Sequence, residues 1–170
     1  MDRRKFVSYK TATDFRKKFL NRVEELGLDL HIIIGNHDTY YKNTSEVNSM
    51  EELVGDRFKV YSNPEIVEFD EFPILFIPWI NQNNYNLSMK ALKSSTSSTI
   101  MGHLDINGFA MNKGQILEQH GYDRQIFNRF ETVFTGHFHH KSDDGQIYYL
   151  GSPYEIFWND ADDPKGFHIF

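Results

Sequence analysis

Three short apolar runs constrain this sequence most, because each is followed by a glycine and then by polar side chains. These following stretches are, in chain order, Gly35-Asn36-His37-Asp38, Gly102-His103 and Gly136-His137-Phe138-His139. β-branched runs of this length predict buried strands. In open α/β sheets, ligands bind beyond the carboxyl ends of the strands. We therefore predict an α/β fold that gathers these imidazoles at one end of its sheet.

The composition limits the class of protein. The chain has 170 residues, a formal net charge of −6 and no cysteine, which fits one domain and excludes a disulfide scaffold or a thiolate zinc site. No apolar run is long enough to span a membrane, and the basic start lacks the apolar segment of a secretory signal. The acidic balance disfavours non-specific binding of nucleic acid, although bound divalent metals would add positive charge.

A helix is predicted over residues 8–26, because Phe15, Phe19, Val23 and Leu26 recur at helical spacing. Thr11 or Thr13 is the predicted cap, and Gly27 ends the helix. Further helices are expected at 49–53, 87–93, 115–120 and 122–130. Strands are expected at 28–34, 58–61, 65–69, 72–79, 99–103, 131–136, 146–150 and 166–170, with the strand at 72–79 near a sheet edge or ending at Pro78.

The candidate ligands are Asn36, His103, His137 and His139. Nitrogen and oxygen donors of this kind suit Mn, Fe or Zn, and a pair of such ions can activate water for attack on a phosphate ester. A single histidine at a strand end is more often a hydrogen-bonded surface residue, and this interpretation is kept for His31, His120, His140 and His168. The repetition of the pattern behind three strands favours a metal site.

These motifs resemble the third, fourth and fifth motifs of the calcineurin-like metallophosphoesterase superfamily. Several other segments resemble its SbcD-type DNA exonuclease branch and, within it, the recombination endonuclease subunits of T-even-like bacteriophages. These segments are Ile77-Pro78-Trp79, Leu104-Asp105-Ile106-Asn107-Gly108-Phe109, Lys113-Gly114, Tyr149-Leu150-Gly151-Ser152-Pro153 and Asp163-Pro164-Lys165-Gly166-Phe167. The resemblance covers nearly the whole chain and implies a four-layer fold, a mixed β-sheet sandwich flanked by helices.

The resemblance also implies roles for the candidate residues. Asn36, His103 and His137 would bind one metal and His139 the other. His37 would stabilise or protonate the leaving oxygen, with Asp38 orienting its ring. The implied cofactor is Mn²⁺ as two ions, with Mg²⁺, Fe²⁺ or Zn²⁺ as alternatives. The implied partners are DNA, an SbcC-type coiled-coil ATPase and a second copy of the chain. The implied location is the cytoplasm, that of the host for a phage protein.

The sequence departs from the family pattern at its start. The N-terminal Asp-x-His motif and the Gly-Asp motif with its bridging carboxylate do not occur, and Asp2-Arg3-Arg4-Lys5 resembles the residues just after the latter. We therefore expect residues 1–170 to be a partial nuclease domain, truncated at both ends and lacking its first strands. It would be inactive or nearly so in isolation, and its exposed apolar surface would favour oligomerisation or aggregation.

Two alternative functions stay open. One is a different metallophosphoesterase, such as a phosphomonoesterase or a cyclic-nucleotide phosphodiesterase. The other is a non-catalytic assembly module that keeps only a contact with a partner.

Overall fold

The structure, a computed structural model, describes residues 5–112, 115–116 and 121–170. The first helical stretch consists of α1 (Tyr9–Phe15), a π-helical segment (Arg16–Leu20) and α2 (Asn21–Glu25). Two further helices are α3 (Ser49–Val54) and α4 (Tyr85–Ser94). Single 3₁₀ turns occur at Gly55–Arg57, Arg124–Phe127 and Trp158–Asp160.

The first helical stretch matches its predicted extent but differs in its cap and its buried face. Ser8, rather than a threonine, caps it by accepting a hydrogen bond from the Thr11 amide at 3.1 Å. The buried side chains are Ala12, Leu20 and Val23, whereas the predicted core residues Phe19 and Leu26 are 44% and 54% exposed. The wider π turn changes the angular spacing of the residues, so Leu20 rather than Phe19 faces inward.

Within the described parts of the chain, ten strands form three sheets. The strands are β1 (His31–Ile33), β2 (Lys59–Tyr61), β3 (Glu65–Phe69), β4 (Phe72–Ile77), β5 (Thr99–Gly102), β6 (Ala110–Asn112), β7 (Gln115–Ile116), β8 (Thr132–Thr135), β9 (Ser142–Asp143) and β10 (Ile147–Tyr149). A six-stranded sheet has the order β3-β4-β5-β8-β10-β9, and β1 with β2 and β6 with β7 form two-stranded sheets. Within the large sheet, β4, β5, β8 and β10 run parallel, while β3 and β9 are antiparallel edge strands.

Four predicted elements differ from the structure. The prediction of a helix at 115–120 is wrong for its first two residues, because Gln115–Ile116 is a strand. Residues 117–120 lie outside the described residues, as do residues 1–4 and the Lys113-Gly114 motif. Residues 104–114, for which no helix or strand was predicted, contain β6. The helix expected at 122–130 is a single 3₁₀ turn. No strand forms at 166–170, and β9 was not predicted.

The large sheet is apolar on both faces. Along β4, Leu75 and Ile77 face a large core, while Ile74 and Phe76 face a smaller one on the opposite side, as the two-residue period of a strand requires. The large core also contains Leu92 from α4 and Phe127 from a 3₁₀ turn, and Tyr61 of β2 lies in the smaller core. The fold is thus mixed α/β, with helical segments on one face and the β1–β2 pair on the other.

Within the described residues, no helix has the length and apolar character needed to cross a bilayer.

A buried hydroxyl links β10 to the loop that follows β5. The Tyr149 hydroxyl donates to the Leu104 carbonyl at 2.9 Å and accepts from the Ile106 amide at 2.8 Å. The Tyr149 side chain is almost completely buried and stacks on Phe138 with ring centroids 4.5 Å apart. This contact fixes the chain just after His103.

We expect Tyr149→Phe to lower the free energy of unfolding by about 1–3 kcal/mol, because it leaves the Ile106 amide and the Leu104 carbonyl unpaired in the core. Urea denaturation followed by circular dichroism measures this loss. Tyr148→Phe is the matched control, since the Tyr148 hydroxyl bonds an exposed carbonyl of Gly145. Equal stability of Tyr149→Phe and the unmodified chain would contradict the assignment.

Candidate metal centre

Two candidate histidines follow neighbouring parallel strands. Gly102 at the end of β5 is in register with Thr135 at the end of β8. The pairing continues beyond the strands, because the Gly136 amide donates to the Gly102 carbonyl at 2.9 Å and the His103 amide donates to the Ile77 carbonyl at 3.0 Å. The sheet therefore delivers His103 and His137 side by side, at the predicted strand ends.

Asn36 reaches the same edge from the smaller sheet. The Ile34 amide donates to the Tyr61 carbonyl at 3.1 Å, and the Ile34 carbonyl accepts from the Trp79 amide at 2.8 Å. A tight turn follows, in which the Asp38 amide donates to the Gly35 carbonyl at 3.1 Å and the Asp38 carboxylate accepts from the Gly35 amide at 2.9 Å. Asp38 thus stabilises the turn that carries Asn36 and His37.

The side chains of Asn36, His103 and His137 converge. Nε2 of His103 lies 3.1 Å from Oδ1 of Asn36 and 3.3 Å from Nδ1 of His137. The two imidazole rings meet edge to face, with centroids 5.2 Å apart. Three of the four predicted ligands therefore form one cluster.

Gly35 is required by this close approach. A Cβ atom at position 35 would lie 2.9 Å from Cε1 and 3.1 Å from Nδ1 of His103, which is too close for a real contact. Any larger residue would displace the His103 ring from Asn36.

Burial keeps the clustered imidazoles neutral. Desolvation lowers the pKa of His103 to about 3, helped by the neighbouring His137, His37 and His139. Burial likewise lowers the pKa of His137, opposed by the carboxylate of Asp105. A neutral imidazole keeps the lone pair that a metal ligand needs.

The donor set fits one divalent cation. Ligands about 2.1 Å from a shared ion lie roughly 3.0–3.4 Å apart, and the measured separations of 3.1 and 3.3 Å fall in this range. Across the described residues, no group of three or more His, Cys, Asp or Glu side chains could hold a metal ion. The cluster consequently depends on the amide of Asn36 as its third donor.

His139 is paired with a carboxylate from a later loop, that of Asp160. Its Nδ1 lies 3.1 Å and 3.3 Å from the two oxygens of Asp160, and its ring stacks parallel on Phe157 at 5.3 Å. When Nδ1–H donates to Asp160, Nε2 is the nitrogen left for a metal, an arrangement common for metal-binding histidines. Asp160 and Phe157 were not among the predicted site residues, because only tertiary contacts connect them to His139.

Asp160 also organises the loop on which it lies. Oδ2 accepts the amides of Ile156 and Phe157, both at 2.9 Å. Burial alone would raise its pKa, but these two amides and His139 together hold the pKa below the ordinary aspartate value. The carboxylate is therefore ionised and faces His139 as an acceptor.

The candidate residues line a cavity of about 490 Å³. The lining includes the predicted residues Asn36, His37, Asp38, His103, His137 and His139, together with Met111, Tyr154, Ile156, Phe157 and Asn159. All six predicted site residues therefore surround one space. The catalytic roles of His37 and Asp38 stay predictions.

The other described histidines have structural contacts. His31 bonds the Tyr61 hydroxyl at 2.7 Å and Asp29 at 3.1 Å. His140 bonds Asp163 at 2.8 Å, and Nε2 of His168 lies 3.0 Å from the Leu150 carbonyl. This agrees with the predicted structural role of these three residues, whereas His120 lies outside the described residues.

Comparison with known proteins finds a viral relative. Exonuclease subunit 1 of Enterobacteria phage T4 is 34% identical over 171 aligned residues, which cover 99% of this chain and 50% of the relative. The chain thus spans about half the length of the curated relative that it matches. No protein-family model matches the chain. The predicted resemblance to a nuclease subunit of T-even-like bacteriophages is confirmed by this relative.

We expect Asp160→Asn to switch the tautomer of His139. An asparagine keeps an oxygen for the Ile156 and Phe157 amides, but it loses the negative charge and places an NH₂ group at the second position, 3.3 Å from Nδ1, where it opposes an Nδ1–H and favours hydrogen on Nε2. The ¹⁵N chemical shifts of the imidazole report this change. Asp29→Asn is the matched control, since Asp29 likewise contacts a histidine, His31, at 3.1 Å and should leave His139 unaffected. An unchanged His139 spectrum in Asp160→Asn would contradict the proposed orientation.

We expect His103 to make stability fall with acidity. Its imidazole binds a proton near pH 6.5 in the unfolded chain but only at about 3 in the folded one. Its contribution to stability is therefore complete above pH 6.5 and is lost as the pH falls toward 3.

Urea denaturation between pH 4.5 and 7 tests this linkage. His103→Gln should reduce the slope of stability against pH by up to about 1.4 kcal/mol per pH unit. Imidazole NMR gives an independent check, because the His103 ring should remain neutral at pH 5. A protonated His103 ring at that pH would contradict the prediction.

Proposed function

Because the chain is similar over nearly its whole length to a phage exonuclease subunit, we propose that it forms part of a nuclease that hydrolyses phosphodiester bonds of DNA. The observation that carries this proposal is the convergence of Asn36, His103 and His137 from separate strand ends. We further propose that the chain is a partial calcineurin-like metallophosphoesterase domain over residues 1–170. In this interpretation, the large sheet and the β1–β2 pair belong to the sandwich of its four-layer fold.

Asn36, His103 and His137 would hold one divalent metal, and His139 would be a ligand of the second. Mn²⁺ is the proposed ion, with Mg²⁺, Fe²⁺ or Zn²⁺ as alternatives. The metal would neutralise charge on the phosphate and lower the pKa of the attacking water. The half-buried, neutral imidazoles support this role, since they do not need to lose a proton before binding.

His37 is the proposed proton donor to the leaving oxygen, and Asp38 the residue that orients it. Both side chains line the cavity beside His103 and His137. The Asp38 carboxylate also holds the Gly35 amide, so the turn that presents His37 is fixed from within. A positioned histidine of this kind is suited to general acid catalysis.

The four proposed ligands are distributed unevenly between the two ions. Three would serve one metal, but His139 alone is too few for the other. We therefore propose that the 170-residue chain by itself binds one metal weakly and has little nuclease activity. In the complete nuclease the proposed partners are DNA, a coiled-coil ATPase of the SbcC type and a second copy, in the host cytoplasm.

We expect calorimetric titration of the chain with Mn²⁺ to detect one weak site. His103→Ala and His137→Ala should each abolish it, because each removes one of three donors. His168→Ala, which alters an exposed residue outside the cavity, is the control and should bind normally. Unchanged binding by both cluster variants would contradict the proposed metal centre.

Two assays on the same samples separate the remaining alternatives. Robust cleavage of linear DNA with Mn²⁺ would support the nuclease but contradict the proposed weak activity of the isolated chain. Cleavage of bis-p-nitrophenyl phosphate without cleavage of DNA would instead indicate a different metallophosphoesterase. Absence of metal binding together with absence of cleavage would leave the assembly module.

A further inference from the structure

Part of the cavity lining is apolar and aromatic. One segment after β10 contributes Tyr154, Ile156 and Phe157 to it. These side chains are 66%, 39% and 49% exposed. Burying such surface in the core would be favourable, so its position beside a polar cluster calls for a ligand with an apolar face.

The Phe157 ring is held in place before any ligand arrives. One side is stacked on His139, with centroids 5.3 Å apart and an angle of 4° between the planes. The Phe157 amide donates to the buried carboxylate of Asp160 at 2.9 Å. A fixed aromatic ring binds at a low entropic cost.

The cavity lacks a cationic clamp for phosphates. Among the described residues that line it, none is lysine or arginine, and Lys165, which lies behind His139, is engaged by the His139 carbonyl and by Asp163. The chain has a formal net charge of −6. Apart from the proposed metal, affinity for a nucleic-acid strand at this site must therefore come largely from contacts other than ion pairs with phosphates.

We propose that Phe157 and Tyr154 form a stacking subsite for an unpaired nucleobase next to the phosphate that enters the histidine cluster. Aromatic side chains bind single strands in this way and tolerate any base, since every base has a π face. A base in this cavity must be free of its complementary strand, so the substrate class is a single-stranded or frayed DNA end. This inference rests on the proposed nuclease function.

The test uses a short single-stranded oligonucleotide containing 2-aminopurine, and a second oligonucleotide with an abasic spacer at the same position. Both are titrated into the whole chain. We expect the fluorescence of 2-aminopurine to be quenched on binding and the abasic strand to bind more weakly. Phe157→Leu and Tyr154→Leu should each weaken binding of the base-containing strand by about 5- to 100-fold, with little effect on the abasic strand.

Two variants make the test specific. Phe157→Trp keeps an aromatic ring and should retain most of the affinity, which separates stacking from loss of folding. Trp158→Ala is the matched control, because Trp158 is 96% exposed and adjacent in sequence but does not line the cavity. It should bind like the unmodified chain.

The outcomes distinguish the two proposals. Equal affinity for the base-containing and abasic strands would overturn the stacking subsite while leaving the nuclease function intact. Loss of binding in Trp158→Ala equal to that in Phe157→Leu would also overturn it. If neither strand binds the unmodified chain, the subsite fails, whereas the proposed metal centre is judged separately by the calorimetric titration with Mn²⁺.

Discussion

Parallel hydrogen bonding between β4, β5 and β8 is the interaction on which the rest of the site depends. The ladder continues past β8 through the Gly136 amide and the Gly102 carbonyl, so the two imidazoles leave neighbouring strands within one residue of each other in register. Their spacing follows from the regular separation of neighbouring strands, about 4.8 Å. The turn at Gly35 then only has to place the side-chain amide of Asn36 beside the two imidazoles that the sheet has positioned.

The electrostatics of the site follow from this placement. The partial burial of His103 removes water that would stabilise a charged ring and so lowers its pKa. The neighbouring imidazoles act in the same direction, since like charges at short distance oppose each other. An acidic protein therefore contains a neutral centre with its lone pairs available. An incoming cation would supply the positive charge that the lining residues lack.

Sequence reasoning located the part of the site that lies on strands. Asn36, His103 and His137 could be predicted because each follows an apolar run, and strand ends meet at one edge of a parallel sheet. It did not find Asp160 or Phe157, because nothing in the periodicity of an irregular acidic turn indicates which side chain it contacts. The same limit explains the helix at the start of the chain, where a π turn exchanged Phe19 for Leu20.

Strand extents were easier to predict than short helical turns. The strand at Glu65–Phe69 matches its predicted limits, and Phe72–Ile77 ends just before Pro78, since proline has no amide hydrogen for the ladder. Residues 115–116 adopt a strand instead of the expected helix, where pairing with β6 outweighs a weak local preference. The layered arrangement of the two sheets depends on contacts far apart in sequence and was expected only through the family resemblance.

The His139 carbonyl ties the last part of the chain to the cavity. It accepts the Ser152 amide at 3.0 Å and the Lys165 ammonium at 2.7 Å, and the left-handed Gly151 packs against it, where a Cβ would lie only 3.0 Å away. His139 thus depends on a tail with little regular structure, whereas His103 and His137 depend on a buried ladder. The lining of the cavity therefore belongs to two cooperative units, one formed by the sheet and one by the segment that holds His139. In native-state hydrogen exchange, the amides of the His139 segment would open at a lower free energy than those of the sheet.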